Sequence, residues 1–360
     1  VTVDAELDPG RVGAFAYLVF SKLEGAVTSG MIHLGDRLGL YRALADADRP
    51  LSSAELAERS GLHERWVREW GYNQGAAMIV MIDDDERLSL SPEAIAVLAD
   101  PTSASFGAGS FHHLPQTMGA LQDLPESFRT GIGRDYDAHG PEAAEGVARG
   151  FEPWMRAHLL TDVLPALDGV ESKLRDGATA LDVGCGAGGV VVLLASSFPR
   201  SQVRGYDISH FALERARQRQ ADAGLHNVEF LDPRRSPLPG DGSADLVTTF
   251  DCLHDMTDPA GMAAAIRRSL AGDGTWLLVD IKAHDTFAEN ARQNPMAGLM
   301  YGISVLSCMS SALSEPGGAG LGTLGLSAGK AEQMARDAGF TRFRRLDIDH
   351  PINAFYEIRP

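Results

Sequence analysis

Basic side chains are scarce in this chain, and so is cysteine. Only 32 Lys and Arg stand against 49 Asp and Glu in 360 residues, a formal net charge of −17. A chain this acidic repels a phosphate backbone unless one face is locally basic. The basic clusters are short, Arg234-Arg235 and the Arg342 to Arg345 stretch, and read as solvated surface. Nucleic acid is therefore not an expected partner. The three cysteines, Cys185, Cys252 and Cys308, are far apart and odd in number, which argues against a disulfide framework and fits a reducing compartment. Cys252 and His254 lie two apart, but no second cluster supplies the rest of a zinc site, so no metal is expected. No apolar run approaches the roughly 18 residues of a membrane helix. The opening "VTVDAELDPG" is polar, without the apolar core of a signal peptide. A cytoplasmic location without membrane contact is the expectation.

What is present falls into two patterns. Residues 11–100 read as helices followed by a hairpin. "GAFAYLVFSKLEGAVTSGMIHLGDRLGLYRALA" has apolar residues at helical spacing, broken by glycines. "LSSAELAERSGL" opens with a Ser-x-x-Glu capping signal, Ser52 to Glu55, and Gly61 is placed to end that helix. "HERWVREWGYNQGAAM" predicts a second helix, and "IVMIDDDERLSLS" two strands around an acidic tip. Helix, turn, helix and wing is the winged-helix order. Residues 101–174 are helical with Pro and Gly breaks, a bridging segment. From 175 to 360 strands alternate with helices, beginning with "TALDVG" and "GVVVLLASSF". That alternation predicts an α/β fold with a doubly wound sheet. Residues 285–326, rich in Met, Ser and Gly, interrupt it as an insertion able to cover a pocket.

The most informative stretch is "LDVGCGAGG", in which Asp182 precedes Gly184, Gly186 and Gly188 between a strand and a helix. Glycines allow a tight turn and let a ligand approach the backbone. The following helix offers free amide groups and a positive dipole end. Asp207, in "VRGYDIS", ends the next strand about twenty residues on, the spacing of a ribose-hydroxyl acceptor. The D-x-G-x-G-x-G spacing differs from the G-x-G-x-x-G of dinucleotide enzymes. An acid ahead of the first glycine opposes a pyrophosphate and suits a cationic amino-acid ligand.

"LDVGCGAGG", "RGYDIS", "VEFLD" and "DLVTTFDCLHDM" resemble the successive motifs of class I S-adenosylmethionine-dependent methyltransferases, over roughly residues 175–360. "MIHLGDRLGLYRALA", "LSSAELAERSGLHERWVREW" and "GPEAAEGVARGFEPWM" resemble a bacterial, actinobacterial and mycobacterial, two-domain group with an N-terminal winged-helix-like domain. The arrangement is similar to that of plant-type small-molecule O-methyltransferases. The resemblance implies a Rossmann-like, doubly wound seven-stranded sheet behind a mainly helical N-terminal domain (residues 1–100) that mediates homodimerisation. It implies S-adenosylmethionine as cofactor, S-adenosylhomocysteine as product and a small molecule as methyl acceptor. Gly184, Cys185, Gly186 and Gly188 would line the methionine and ribose, with Asp182 near the amino group. Asp207 and Ile208 would hold the ribose side, Asp232 the adenine amino group, and Phe250 and Asp251 the far wall. The sequence departs from the family at "DPRRSPLP", which begins at Asp232.

His254 and Asp255 follow the fourth strand of the predicted sheet, at the edge where ligands of doubly wound folds gather. Plant-type relatives carry a His-Asp pair here, whose histidine takes the proton of the substrate hydroxyl. An imidazole suits that task because its ordinary pKa lies near 6.5. Orientation of the substrate and a purely structural or metal role remain open for His254. Tyr136, His139, Trp154, Met155, Asn294, Tyr301 and Cys308 are candidates for the substrate cavity, with Met296, Met300 and Met309 as an adaptable wall. Ordinary packing is the alternative for each. Methylation at sulfur or carbon of a small thiol or keto acid is the second enzymatic reading. A regulator that senses S-adenosylmethionine is the rival of another class. It is opposed by the second helix of the helix–turn–helix, where Glu64 and Glu69 offset Arg65 and Arg68, and by the acidic wing.

Overall fold

A computed structural model describes residues 7–360; residues 1–6 of the polar opening stretch lie outside it. The chain divides into two units, one ending at Pro115 and one running from Gln116 to Pro360. Among the described residues no helix is long and apolar enough to cross a membrane.

The first unit begins with α1 (Pro9–Arg37), a single 29-residue helix. Of the glycines expected to break this segment, Gly13, Gly25, Gly30 and Gly35 stay within the helix, and only Gly39 breaks it. Asp8 caps it by accepting from the amides of Gly10 and Arg11. A helical glycine costs only about 1 kcal/mol relative to alanine, which the remaining turns offset. After Gly39, whose left-handed φ of 71° turns the chain, come α2 (Leu40–Ala45), α3 (Ser53–Ser60) and α4 (Glu64–Ala76). The capping box forms as the sequence predicts. Glu55 N donates to Ser52 Oγ at 3.3 Å, and Ser52 N donates to Glu55 Oε2 at 2.7 Å. Gly61 closes α3 at φ 67°. The hairpin is β1 (Met81–Ile82) with β2 (Leu88–Ser89), followed by α5 (Pro92–Leu98). The unit's core gathers Leu40, Tyr41, Leu56, Val67, Trp70 and Leu88, with Trp70 Nε1 donating to Met31 O at 2.9 Å. Trp66, by contrast, is 80% exposed. On α4, Arg65 pairs with Glu69 and Arg68 with Glu64, so both arginines face acids.

The join between the units falls within α6 (Leu114–Gly119), followed by α7 (Leu124–Thr130), α8 (Pro141–His158) and α9 (Val170–Asp176). Then the alternation begins: β3 (Thr179–Val183), α10 (Gly189–Ser197), β4 (Gln202–Tyr206), α11 (His210–Asp222), β5 (Val228–Leu231), β6 (Ala244–Phe250), α12 (Pro259–Ser269) and β7 (Leu270–Ile281). The seven strands order as β5-β4-β3-β6-β7-β9-β8, with β8 (Arg342–Arg345) and β9 (Asn353–Arg359) the last two in sequence. The first five are parallel, and β9 runs antiparallel between β7 and β8. The strand order reverses between β3 and β6. There the crossovers leave opposite faces and a crevice opens outside the strand ends. The two faces of the sheet carry separate cores, one with Leu246, Leu277 and Phe355, the other with Val247, Trp276 and Leu278. The Met- and Ser-rich insertion is helical: α13 (Phe287–Gln293), α14 (Ala297–Ile303), a π-helical turn over Ser304–Cys308, and α15 (Met309–Ala312), ahead of α16 (Ala328–Asp337).

Candidate active site

The turn after β3 carries three glycines in the left-handed region, Gly184, Gly186 and Gly188, at φ 73°, 53° and 78°. Space as well as conformation requires two of them. A Cβ on Gly184 would meet Cys252 Sγ at 2.6 Å, and one on Gly188 the Phe230 ring at 2.7 Å. Cys185, between them, turns its side chain into the core, 7% exposed, while its amide donates to Tyr206 O at 3.0 Å. Its contribution to a ligand site is limited to the backbone.

Asp182 lies under the turn, 2% exposed, and accepts from Thr248 Oγ1 at 2.6 Å. Burial pushes its carboxyl up to about 7. Asp207 leaves the end of β4 and accepts from Gly186 N and Ser209 N, each at 2.8 Å. It too is raised by burial. Neither carboxylate has an ion-pair partner among the described residues, so a cationic ligand would answer a charge the protein leaves unbalanced. Ile208, 44% exposed, follows Asp207. Asp232, at the end of β5, is held by Arg234 Nε at 2.9 Å, and Arg234 Nη2 also donates to Ile208 O at 2.6 Å. Thus the "DPRRSPLP" departure places a guanidinium on the carboxylate assigned to adenine.

Phe250 ends β6 with its ring 5.6 Å from Phe151 of α8. Asp251 follows at φ 48°, a conformation rare for a non-glycine residue and most common where function holds it. Its amide donates to Val279 O at 3.0 Å, and its carboxylate accepts from Asn353 Nδ2. Burial raises Asp251, and burial raises Asp255 to about 7.

His254 sits in a short 3-10 turn, Leu253–Asp255, and is 2% exposed. Its Nδ1 lies 2.6 Å from Asp280 Oδ1 at the end of β7. The parallel pairing of β6 with β7, Phe250 opposite Val279, brings the two together across 26 residues. Burial opposes charge on the imidazole, but the Asp280 carboxylate and Cys308 together outweigh it, and the pKa of His254 stands well above its usual value. With Nδ1 turned to Asp280, Nε2 is the nitrogen left to meet Cys308, which hydrogen-bonds the imidazole. It faces Cys308 at the end of the π-helical turn, and reactive atoms of His254, Asp255 and Cys308 lie within 4.8 Å of one another. The backbone holds this contact: Gly322 N donates to His254 O at 3.2 Å and Thr323 N to Ser304 Oγ at 3.2 Å.

The other cavity candidates separate. Tyr136 is pushed well above its usual value by burial and by the charges of Asp255 and Asp207, and its ring meets His139 edge-on at 6.2 Å. Its neighbour Asp137 anchors that segment by accepting from His210 N at 3.1 Å. His139 is 5% exposed, and Met155 (2%) is a core residue beside Leu159 and Val163. Trp154 stacks on His158, ring centroids 4.5 Å apart, and meets His350 edge-on at the same distance. Asn294 and Tyr301 line a cavity of about 510 Å³ with Phe287, Arg292 and Pro295. Met296 rims the insertion at 39% exposed, whereas Met300 packs inward at 9%. Asp280, Thr248, Asn353 and Arg234 were not foreseen. Asp280 alone carried a signal, as the one acid in the otherwise apolar run "TWLLVDI".

Residues 174–339 match the family model of a methyltransferase domain, and residues 26–99 that of an Rv2258c-like winged HTH domain. The chain thus carries a methyltransferase domain and, ahead of it, a winged HTH domain. Human N-acetylserotonin methyltransferase, solved in complex with SAM, is similar at 16% identity, with 99% of each chain covered and a TM-score of 0.70. The mitomycin 7-O-methyltransferase MmcR is similar at 20% identity over 98% of this chain and 100% of its own, TM-score 0.69. At such identities the likeness establishes the fold. Among curated relatives, the ubiquinone/menaquinone biosynthesis C-methyltransferase UbiE of Desulfotalea psychrophila is 31% identical over 100 residues, 28% of this chain and 40% of its own. The chain spans less than half the length of the leading curated relatives.

Proposed function

We propose that the protein transfers a methyl group from S-adenosylmethionine to a hydroxyl of a small molecule, with His254 as general base. The observation that carries this reading is the buried His254–Asp280 pair, 2.6 Å apart, on the same strand-end edge as the glycine turn. The cofactor supplies a methyl already activated on a sulfonium, so the protein's task is to bare and align the nucleophile. Asp207 retains acceptor capacity on both oxygens for ribose hydroxyls. Phe250, backed by Phe151, walls the far side. Asp232 would share its carboxylate between Arg234 and the adenine amino group. His254 takes the acceptor's proton on Nε2, and Asp280 stabilises the imidazolium that results. General-base transfer of this kind contributes about 10²–10⁴-fold. Tyr136 and the insertion shape the acceptor's side. A homodimer through the N-terminal unit completes the proposal, supported by the exposed apolar residues of α1.

Isothermal titration with S-adenosylhomocysteine, beside NAD as control, tests the cofactor half. Micromolar binding of the former alone is the expected result, and binding of NAD alone would sink it. A screen of phenols, acids and thiols then tests the acceptor half. Full turnover by His254→Ala on the best acceptor would remove the base role.

A further inference from the structure

Cys308 has no task in the reaction above, yet it is aimed at the one nitrogen that has. Three carboxylates, Asp251, Asp255 and Asp280, gather round His254. Among the described residues their only ion pair is that of Asp280 with His254. Asp280 is itself 2% exposed, and its Oδ2 has no hydrogen-bond partner. A buried cluster with this excess of negative charge calls for protons or a cation.

The donor set suits one class of cation. An imidazole nitrogen, a thiol sulfur and a carboxylate oxygen are zinc ligands, and catalytic zinc sites keep three protein ligands with a fourth position open. Ligand atoms on a tetrahedral zinc ion stand roughly 3.3–3.8 Å apart, given bonds of about 2.0–2.3 Å. The three atoms here are all within 4.8 Å of one another, so a bound cation would have to draw them closer. The far nitrogen of a ligating histidine almost always donates to a carboxylate. His254 Nδ1 already does so, to Asp280. The third ligand comes from the π-helical turn of the insertion, a distortion frequent at functional sites.

We infer that His254 Nε2, a carboxylate oxygen of Asp255 and Cys308 Sγ form a three-ligand site for a zinc-class divalent cation, with its open position toward the methyl acceptor. Binding displaces the thiol proton of Cys308 to solvent, leaving a metal thiolate. It also takes the lone pair that His254 needs as a base. Zinc and the acceptor's proton therefore compete for one nitrogen; this consequence, unlike the site itself, rests on the proposed function.

The test uses the full chain stripped by a chelator. Zinc affinity is measured by competition with a chromophoric chelator, and cobalt(II) is added as a spectroscopic probe. One equivalent should bind, with a sulfur-to-cobalt charge-transfer band in the near ultraviolet. Cys308→Ser should abolish the band and weaken zinc binding at least about tenfold, and Asp280→Asn should weaken it about 10–100-fold. Unchanged S-adenosylhomocysteine binding by Cys308→Ser shows that the variant is folded. No binding, or equal binding by wild type and Cys308→Ser, would overturn the site and leave the base role standing. With an acceptor in hand, zinc should slow transfer and a chelator restore it. Faster transfer with zinc would overturn the competition and the base role together.

Discussion

Asp280 decides which of the His254 nitrogens turns to Cys308 and how firmly the imidazole holds a proton. The pair is buried, at 2.6 Å, so replacing the carboxylate by an amide keeps the shape and an acceptor oxygen but removes the charge. His254 is raised because Asp280, with Cys308, outweighs burial; without the Asp280 charge the largest raising influence is gone and the pKa falls. The base is active only when neutral, so the acidic limb of the pH–rate profile should move to lower pH in Asp280→Asn. Its kcat should drop about 10-fold or more as the imidazolium loses its counter-charge. Affinity for S-adenosylhomocysteine should hold. A profile that stays in place would assign Asp280 a packing role only. His254 was legible in the sequence because a polar pair closing an apolar strand is visible as such. Asp280 stood out only as an acid in an apolar strand; its partnership with His254 depends on the register of β6 against β7, which no local pattern encodes.

Elements show the same division between local and distant information. The capping box at Ser52, the stop at Gly61, the hairpin and the glycine turn are short-range chemistry, and each forms where its residues predict. The continuity of α1 was hidden, since glycine spacing suggested breaks. That continuity has a consequence for assembly. Phe15, Leu18, Val19, Phe20, Leu23 and Val27 are all at least half exposed along it. Val19, Leu23 and Val27 recur at i, i+4 and i+8, one stripe of the helix. Apolar surface of this extent on a monomer marks an interaction site, and a second copy of the same helix is the complement a two-fold axis provides. Light scattering should give about twice 38.5 kDa for the protein. Val19→Glu with Leu23→Glu should give the monomer with an unchanged helical circular-dichroism signal. A monomeric wild type at micromolar concentration would remove the dimer.

For the molecule as a whole, the raised buried acids outnumber the two histidines that burial lowers, His350 to about 4 and His139, which act in the opposite direction, and so set the sign of the pH dependence. Asp182 and Asp255 are raised by burial to about 7, and Asp251 is raised as well, whereas an unfolded chain ionises these groups near 4. Between those values the folded state binds more protons than the unfolded one, so stability falls as pH rises. Each group's contribution is fully present below about 4 and lost through about 7. His254, also raised, acts in the same direction, and its contribution is lost as pH rises through its own folded value. The formal charge of −17 at pH 7 adds self-repulsion that grows with further ionisation. Glu55 has the opposite sign, because Arg49 holds it below the usual carboxylate range. It is solvent-exposed, however, and its contribution is already complete above about pH 5. The ligand-free protein should therefore melt at a higher temperature at pH 6 than at pH 8. For a unit the size of Gln116–Pro360 the midpoint should move about 2–4 °C for each kcal/mol involved. Asp182→Asn keeps an acceptor for Thr248 but cannot ionise, so it should flatten the slope and raise the midpoint most at pH 8. A wild-type midpoint that rises from pH 6 to pH 8, or a variant with the wild-type slope, would show that these carboxyls are ionised in the ligand-free fold, and that the crevice balances their charge before any cofactor arrives.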